Sequence, residues 1–411
     1  MKIARTVFLP FAAGYFLSYL FRTVNGPIAD RLMEEFHLNA AGLGLLTSVY
    51  FLTFTLAQLP FGPLVDWYGP RRMQGVVLSI GALGAVVFAV AQNVPTLILG
   101  RALIGLGTSG ALMAGLKALA LWLPAERRAL ANGGFIMFGG LGAMASTLPM
   151  DWLMPVVGWR GVFLVLAAVT AVVVVLILTV VPESPAAVKP EDWRSNLRGL
   201  VDVYRDPAFW RLAPLSACVI GTVFAVHGLW AARWLRDVDL YAPGRVASDL
   251  LVMGMGLTLG AAAIGVATDR LRRWGVRPIV TFGVACTLFI ALQVASIDRL
   301  GLPEWFVWGA IASFGGMTVL SYSILGEMFP AASIGRANGA LNVLHLSMAF
   351  VLQYAMGVIA SFWPADAGGH LPMAAYRAAF AMPLVLEVAA LGWLVWSATR
   401  RRAEVVEGVR A

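Results

Sequence analysis

Long apolar stretches, separated by short polar segments, dominate this chain. A helix of about 20 apolar residues crosses the hydrocarbon core of a bilayer. Twelve stretches reach or approach that length, so the pattern predicts twelve membrane-spanning helices. The stretches cover roughly residues 7–29, 42–64, 73–92, 95–122, 130–150, 159–181, 209–232, 246–267, 278–297, 304–326, 336–362 and 374–397.

The composition supports this interpretation, because 60% of the residues are hydrophobic and only 13% are charged. Soluble domains are about 45–50% apolar and about 25% charged. The first apolar stretch is long and lacks a small-residue cleavage site, so we expect no cleavable signal peptide. Cys218 and Cys286 lie in apolar stretches and no spacing of Cys and His suggests a metal site. We therefore expect packing cysteines, no metal and no cofactor.

The net charge of +8 would suggest a nucleic-acid partner in a soluble protein. In a membrane protein it indicates orientation instead, because cytoplasmic loops are rich in Lys and Arg. With both termini in the cytoplasm, the inner segments hold 20 basic residues and the outer segments hold 7. We therefore expect cytoplasmic termini, a location in the cell inner membrane, and no nucleic-acid partner.

Two loop motifs recur at nearly one offset, close to half the chain length. The segment 124–133 returns as 330–339, and the segment 62–72 returns as 265–277. Parallel halves with a binding site at their interface are an architecture of transporters. The predicted domains are a six-helix bundle at 1–181, a cytoplasmic linker at 182–208, a second six-helix bundle at 209–397 and a cytoplasmic tail at 398–411.

The repeated loop motif, Gly62-x-x-x-Asp66 with Arg71 and Arg72, resembles the signature of the major facilitator superfamily between its second and third spans. The resemblance covers the whole chain. It implies an all-α membrane protein whose two bundles rock about a central site. It also implies that Gly62 allows close helix packing and that Asp66 holds the cytoplasmic side closed.

We expect Asp66 to meet the start of the eleventh span and loop arginines, and Asp269 to act likewise against the fifth. The alternative is that these loop charges only set topology. Trp67 stands where the second copy has Arg270, which leaves one partner of Asp66 open. The predicted gating residues are Gly62, Asp66, Arg71, Arg72, Arg101, Gly265, Asp269, Arg270 and Glu327.

Arg22 is the intramembrane charge that neither end of its helix explains. A charge within a span is costly and marks a functional site by default. Along the helix axis Arg22 lies about 12 Å from Asp30. Tyr15, Ser18, Tyr19, Arg22 and Asn25 form one polar stripe on an otherwise apolar helix.

Two interpretations of Arg22 remain open. Backbone carbonyls between helices would satisfy a structural arginine, whereas a functional one would bind carboxylate or phosphate through its bidentate fork. The segment Tyr19-x-x-Arg22-x-x-Asn25 resembles the first helix of organic-anion and organophosphate porters of the superfamily. That resemblance implies contact between Arg22 and an anionic substrate.

Span 4 carries two further charges, Arg101 and Lys117. The sequence Arg101-x-x-x-Gly105-x-Gly107 resembles the family's signature for this span, which implies a structural or gating role. Arg101 lies about 9 Å inside the end of its span, so snorkelling is the alternative. Lys117 either snorkels or adds positive charge to the cavity. The Gly-x-Gly-x-x-Gly match from Gly105 is no dinucleotide site, because no βαβ unit surrounds it.

The second half offers polar and aromatic side chains for the opposite wall. His227 and His345 are candidate proton carriers, although hydrogen-bonded packing would also explain them. Glu387 reads as a packing residue. The predicted substrate-binding residues are Arg22, Tyr15, Ser18, Tyr19, Asn25, Lys117, His227, Trp230, Tyr322, Asn342 and His345.

The sequence therefore predicts a secondary transporter that takes up a small organic anion by alternating access, coupled to H⁺ or a counter-anion. Efflux or anion exchange by the same fold is the alternative, and a transporter-like membrane sensor is a distant one. No nucleophile–base pair or metal cluster suggests an enzyme. We expect a monomer whose partners are the anion, the coupling ion and the bilayer.

Overall fold

The computed structural model describes residues 2–183, 193–330 and 333–410, and every regular element among them is helical. The first half contains α1 (Lys2–Thr23), α2 (Asn25–Phe36), α3 (Ala40–Ala89), α4 (Val94–Thr108), α5 (Ala111–Trp122), α6 (Ala125–Ala145) and α7 (Leu148–Val180). The second part contains α8 (Trp193–Arg205), α9 (Phe209–Ala225), a π-helix (Val226–Trp230), α10 (Ala231–Asp237), α11 (Pro243–Arg273), α12 (Pro278–Ile297), α13 (Glu304–Ser313), a 3₁₀ turn (Phe314–Gly316), α14 (Met317–Met328), α15 (Ile334–Ala360) and α16 (Met373–Arg410).

Helix α3 runs for 50 residues but contains two predicted spans. Gly69, at φ 77°, breaks it in the left-handed region that favours glycine, and Pro70 starts the next segment. By length and hydropathy, nine described helices qualify as spans, with α3 counted once, or ten if the bent pair of α1 and α2 is one span. The all-helical membrane fold is confirmed, and these numbers are consistent with twelve crossings.

The hydrophobic interior is divided between the two halves. One cluster of buried side chains comes mainly from residues 203–394, and two others come mainly from residues 7–181. The helix α8 lies within the predicted linker and packs on the second half, where the Tyr204 hydroxyl donates to the Ala340 carbonyl at 2.9 Å. Residues 184–192 of that linker lie outside the described residues. The predicted tail continues α16 as far as Arg410.

The halves meet closely at the end of the bundle opposite the chain termini, here called the far end. Asp30 of α2 forms ion pairs with both Arg233 and Arg236 of α10. Nearby, a Cβ added at Gly357 would lie 2.6 Å from the Ala40 carbonyl oxygen, so α15 and α3 are in direct backbone contact. The far end is therefore closed by an ion-pair group and by close helix packing.

The opposite end, where both termini lie, is here called the terminal end. A Cβ added at Gly133 on α6, or at Gly265 on α11, would meet no atom within 4 Å. The same holds for Gly335 and Gly339 at the start of α15. The described ion pairs at this end, Lys117 with Asp66, Arg72 with Glu183 and Arg272 with Glu327, each lie within one half. Together with the open glycine surfaces, this indicates that the space between the halves opens toward the terminal end.

Candidate functional site

The helix that carries Arg22 breaks directly after it. Helix α1 ends at Thr23 and α2 begins at Asn25, with a bend of 44° between them. Pro27 explains the break, because it has no N–H for the carbonyl four residues earlier, that of Thr23, and its ring crowds that carbonyl. The break leaves backbone carbonyls near Arg22 in need of other donors.

Arg101 of α4 supplies those donors. Its Nη1 donates to the Phe21 carbonyl at 2.6 Å and its Nη2 to the Arg22 carbonyl at 3.3 Å. The side chain is buried, with a residue exposure of 1%, and its Cζ lies 4.6 Å from the centre of the Tyr50 ring. Arg101 is therefore turned into the bundle rather than toward the membrane surface, which favours the structural interpretation over snorkelling.

Arg22 lies beside Arg101 but in a different environment. Among the described residues no carboxylate forms an ion pair with it, and its Nε is buried without a hydrogen-bond partner. Arg22 is 7% exposed. Aromatic rings surround its Cζ instead, at centroid distances of 4.5 Å (Tyr19), 4.9 Å (Phe224), 5.2 Å (Phe54), 6.0 Å (Tyr50) and 6.0 Å (Phe51).

Polar side chains of the second half reach the first half close to these rings. Asn342 Nδ2 donates to Gln58 Oε1 at 2.7 Å, and the Tyr322 hydroxyl donates to Asn342 Oδ1 at 3.0 Å. His345 is fully buried, lies 2.8 Å from the Ser216 hydroxyl and stacks on Tyr322 at 5.9 Å. The ring of His345 therefore packs against the ring of Tyr322 and helps to fix its position.

The π-helix brings His227 and Trp230 to the seam. Such segments insert an extra residue into a helical turn and are common at functional sites. A Cβ added at Gly228 would lie 3.8 Å from the Arg22 carbonyl, so the π-helix packs against the break in the first span. Trp230 donates from its indole nitrogen to the Gln353 carbonyl at 3.2 Å.

Several buried polar atoms around this contact have no partner. They are the amide oxygen and nitrogen of Asn25, Nδ1 of His227 and Oε1 of Gln353. Each of these residues lies closer to the far end than the aromatic and hydrogen-bonded side chains of its own span that were described above. The site therefore has aromatic rings on its open side and unsatisfied polar groups beyond Arg22.

The residues of the predicted polar stripe on the first helix lie in different environments. Ser18 donates to the Thr108 carbonyl at 3.2 Å, and Tyr15 stacks on Phe135 at 5.0 Å, so both face the interior of the first half. Tyr19 stays partly exposed beside Arg22. The reason is geometric, because each residue turns a helix by about 100° and even a narrow stripe touches several neighbouring helices.

Lys117 forms an ion pair with Asp66, toward the terminal end of the first half. The structure thus brings together one residue expected in the binding pocket and one expected in the gate. Asp66 was expected to meet the start of the eleventh span, which is now α15. Because the halves are apart at this end, the aspartate instead takes a partner from its own half.

Three further predicted gating charges, Arg71, Arg72 and Glu327, also bind within their own halves. Arg71 donates to the Leu178 carbonyl, and Arg72 pairs with Glu183 at 3.0 Å. The Arg72 guanidinium lowers the pKa of the Glu183 carboxyl, with a smaller contribution from Arg71. In the second half Arg272 pairs with Glu327 at 3.3 Å. Asp269 and Arg270 form no ion pair with the described residues.

Sequence analysis missed Tyr50, Phe54, Gln58 and Phe224. The first three are spaced at i, i+4 and i+8, which places them on one face of a helix. That spacing was a usable signal, but two of the three are aromatic and read as ordinary span residues. Phe224 carried no signal, since only the packing of α9 against the first half brings its ring to Arg22.

Comparison with known proteins identifies the family of this chain. The sequence model of the major facilitator superfamily matches residues 11–352. A probable L-galactonate transporter of Escherichia coli is 26% identical over 316 residues, which are 71% of this chain and 69% of that protein. A probable sulfoacetate transporter of Cupriavidus necator is 29% identical over 156 residues, 38% of this chain and 36% of that protein.

Solved structures match along almost the entire chain. The crystal structure of a bacterial homologue of the human lysosomal transporter Spinster, in an inward-facing and occupied conformation, superposes with a TM-score of 0.76. It covers 97% of each chain at 18% identity, which establishes the likeness of the fold alone.

Proposed function

This chain belongs to the major facilitator superfamily and is a multi-pass membrane transporter rather than an enzyme, and we propose that it carries a small organic anion. Arg22 would bind the carboxylate or similar group of that anion. The observation that carries the proposal is the buried guanidinium of Arg22, which has no ion pair with any described carboxylate.

An unpaired buried charge is unfavourable by several kcal/mol unless a counter-charge arrives. Arg101, which has the same side chain, is satisfied by two backbone carbonyls. Arg22 has ring faces, which compensate a cation by about 0.5–2 kcal/mol, and a neutral hydroxyl of Tyr50 near it, but no described carboxylate. A bound carboxylate would add charge-assisted hydrogen bonds, and these are about twice as strong as neutral ones.

The names of the relatives support an organic acid. The Escherichia coli and Cupriavidus necator proteins are named for L-galactonate and sulfoacetate, which are both anions. We propose that this chain takes a substrate of the same broad class. Tyr19, Tyr322 and Asn342 would line its path from the terminal end, with Tyr15 and Ser18 behind them, and His227, Trp230 and Asn25 would lie beyond Arg22. Lys117 and His345 would act indirectly, through Asp66 and Tyr322.

The asymmetry of the two ends supports the proposal of alternating access. The proposed far-end latch is Asp30 with Arg233 and Arg236, which would open when the terminal end closes. On closing, Asp66 could exchange Lys117 for a partner in the second half. The excess of basic residues in the segments at the terminal end supports a cytoplasmic location for that end, in the cell inner membrane. We propose that the monomer is the working unit.

Proton-coupled uptake is the mode that we propose, and efflux or anion exchange is the alternative. Nδ1 of both histidines has no partner among the described residues. We favour His227 as the proton carrier because its π-helix packs against the break beside Arg22, whereas the ring of His345 is hydrogen-bonded to Ser216 through its other nitrogen. Acidification of the lumen of proteoliposomes during uptake would test coupling. His227→Gln should abolish that acidification, whereas His345→Gln should mainly reduce the rate.

The decisive experiment compares Arg22→Gln and Arg22→Lys with the unchanged protein in proteoliposomes. Uptake of L-galactonate, tartrate and sulfoacetate is measured first. A thermal-shift screen against monocarboxylates, dicarboxylates, sugar acids, phosphonates and nitrate widens the search. We expect Arg22→Gln to lower transport by about 100-fold or more, since two charge-assisted hydrogen bonds of about 1.5–3 kcal/mol each are lost. Arg22→Lys should retain part of the activity.

Arg31→Gln is the matched control. Arg31 also lies in the first span, but it is exposed and contacts only Glu34 of its own helix, at 3.9 Å. Its replacement should leave transport unchanged. Transport by correctly inserted Arg22→Gln at the unaltered rate would refute the proposal.

A further inference from the structure

The surroundings of Arg22 differ on its two sides, and this difference bears on the substrate. On the open, terminal-end side lie Tyr19 and Phe224, with centroids 4.5 Å and 4.9 Å from the Arg22 Cζ. Both rings are partly exposed, unlike the buried rings of Tyr50 and Phe54. Among the rings around the guanidinium, Tyr19 and Phe224 are therefore two that a ligand from the terminal end can contact.

The two rings belong to different halves of the protein. Tyr19 is on α1, and Phe224 is in the last turn of α9. Phe224 packs against hydrophobic clusters of both halves and stacks on Phe51 of the first half at 6.1 Å, with the rings 12° from parallel. The ring of Phe224 is thus held in place across the seam.

Groups that could bind several hydroxyls are scarce on this open side. Gln58, Asn342 and Tyr322 are hydrogen-bonded to one another in a chain. Asn25 and Gln353 have polar atoms without a partner among the described residues, but both are buried beyond Arg22 toward the closed far end. On the open side Asn132 and Asn338 each offer one free amide oxygen, near the starts of α6 and α15 and farther from Arg22 than the rings. A polyhydroxy acid at Arg22 would leave hydroxyls against ring faces, and a buried hydroxyl without a partner is unfavourable.

We propose that the transported anion has a carboxylate at one end, bound by Arg22, and a flat apolar body at the other, held between Tyr19 and Phe224. This rests on the proposed function and names its substrate class as an aromatic monocarboxylate. An aromatic body would gain ring contacts as well as burial of apolar surface. Phe224 is then the specificity-determining residue of the second half.

The test is a binding measurement on the purified full-length protein in detergent. Phenylacetate and gluconate are both monocarboxylates and differ in the body that follows the carboxylate. Isothermal titration should give phenylacetate an affinity about tenfold or more above that of gluconate, from ring contacts and from unsatisfied hydroxyls. Benzyl alcohol, which has the ring without the charge, should bind far more weakly than phenylacetate.

Variants separate the rings from the charge. Phe224→Leu and Tyr19→Leu keep apolar bulk but remove a ring, and each should weaken phenylacetate binding by about threefold to tenfold. Phe306→Leu removes an exposed ring of α13 outside the site and should bind phenylacetate like the unchanged protein. A thermal-unfolding midpoint for each variant checks that it is folded.

The inference is overturned if gluconate binds as tightly as phenylacetate, or if neither leucine variant weakens phenylacetate. Failure of the proposed function looks different. If Arg22→Gln binds phenylacetate as tightly as the unchanged protein, the anion-binding role of Arg22 fails while the ring pocket stands. If neither carboxylate binds the unchanged protein, the inference fails, and the proposed function is then decided separately by the transport assay with Arg22→Gln.

Discussion

Arg22 and Arg101 are the same side chain, buried against the same Tyr50 ring, and they differ in what satisfies their charge. Arg101 donates to two carbonyls at the break in the first span. Arg22 contributes one of those carbonyls through its backbone, while its guanidinium lies among rings. One arginine therefore completes the protein's own hydrogen bonding, and the other is the one that we propose binds the anion.

The difference teaches that an intramembrane charge is not in itself a binding site. The question is whether the fold provides it with acceptors. Arg101 has been given acceptors by the kink that Pro27 produces, and Arg22 has not. Replacing Arg101 should therefore lower the free energy of unfolding, because two buried carbonyls lose their donors. Replacing Arg22 should leave it unchanged or raise it, because a buried charge without a counter-charge is removed.

The largest expected effect breaks this comparison directly. Arg101→Leu leaves the carbonyls of Phe21 and Arg22 without donors in a buried region, at about 1–3 kcal/mol each. Arg22→Leu should leave stability unchanged or raised, because replacing an uncompensated buried charge by an apolar group is often stabilising. Thermal unfolding in detergent compares the two, and an equal loss of stability in both variants would contradict the distinction.

A third arginine sharpens the comparison at the far end. Arg233 has two carboxylate partners, Asp30 across the seam and Asp237 on its own helix. In Asp30→Asn the pair with Asp237 remains, so we expect an unaltered fold but a weakened latch, by about 1–2 kcal/mol. Faster alkylation of a cysteine at Ala29 in membranes would report the opening. Glu34→Gln, which touches only exposed Arg31, serves as the control.

Glu387 offers the opposite case, a buried carboxyl with no basic partner. Its oxygens contact the Thr222 hydroxyl and the Gln293 amide. The Thr222 hydroxyl has one proton and also lies 2.9 Å from the Cys218 carbonyl, so a proton on Glu387 lets the hydroxyl donate to that carbonyl and accept from the acid.

We therefore expect Glu387→Gln to cost less than about 1 kcal/mol, since a neutral amide replaces a neutral acid. Glu387→Asp should cost more, because the shorter side chain leaves Gln293 without its acceptor. The same unfolding assay compares them. A loss in Glu387→Gln as large as that in Arg101→Leu would mean that the charge of Glu387 matters.

The smallest expected effect concerns the solvent-exposed ion pair between Arg72 and Glu183. Arg72 lowers the pKa of Glu183, so this pair contributes stability above the unfolded pKa of the carboxyl and loses it as the pH falls through the lower folded pKa. Both side chains are exposed, at 65% and 68%, so solvent screens the interaction. Glu183→Gln should leave the unfolding midpoint unchanged at pH 7. A clear destabilisation there would show that the contact does more than pair two surface charges.

Sequence analysis could identify Arg22 because the feature that marks it, a charge within an apolar stretch, is visible in contiguous residues. A single charge far from both ends of an apolar stretch is visible in one dimension, and so are the doubled loop motifs. It could not decide between snorkelling and structure for Arg101, because the acceptors lie about 80 residues away along the chain. The same limit hid the pairing of Lys117 with Asp66, which depends on how far apart the halves stand.

The sequence by itself determined the membrane class, the repeat of two halves, the family and the arginine of interest, because hydropathy and spacing are properties of contiguous residues. Tertiary structure alone decided which arginine is satisfied, that Phe224 of the second half covers Arg22, and that the halves close at the far end. Those outcomes depend on which distant side chains and carbonyls share a few ångströms of a low-dielectric interior, where each partner changes the free energy of a charge by several kcal/mol. The sequence of a single span therefore does not indicate which arginine obtains acceptors.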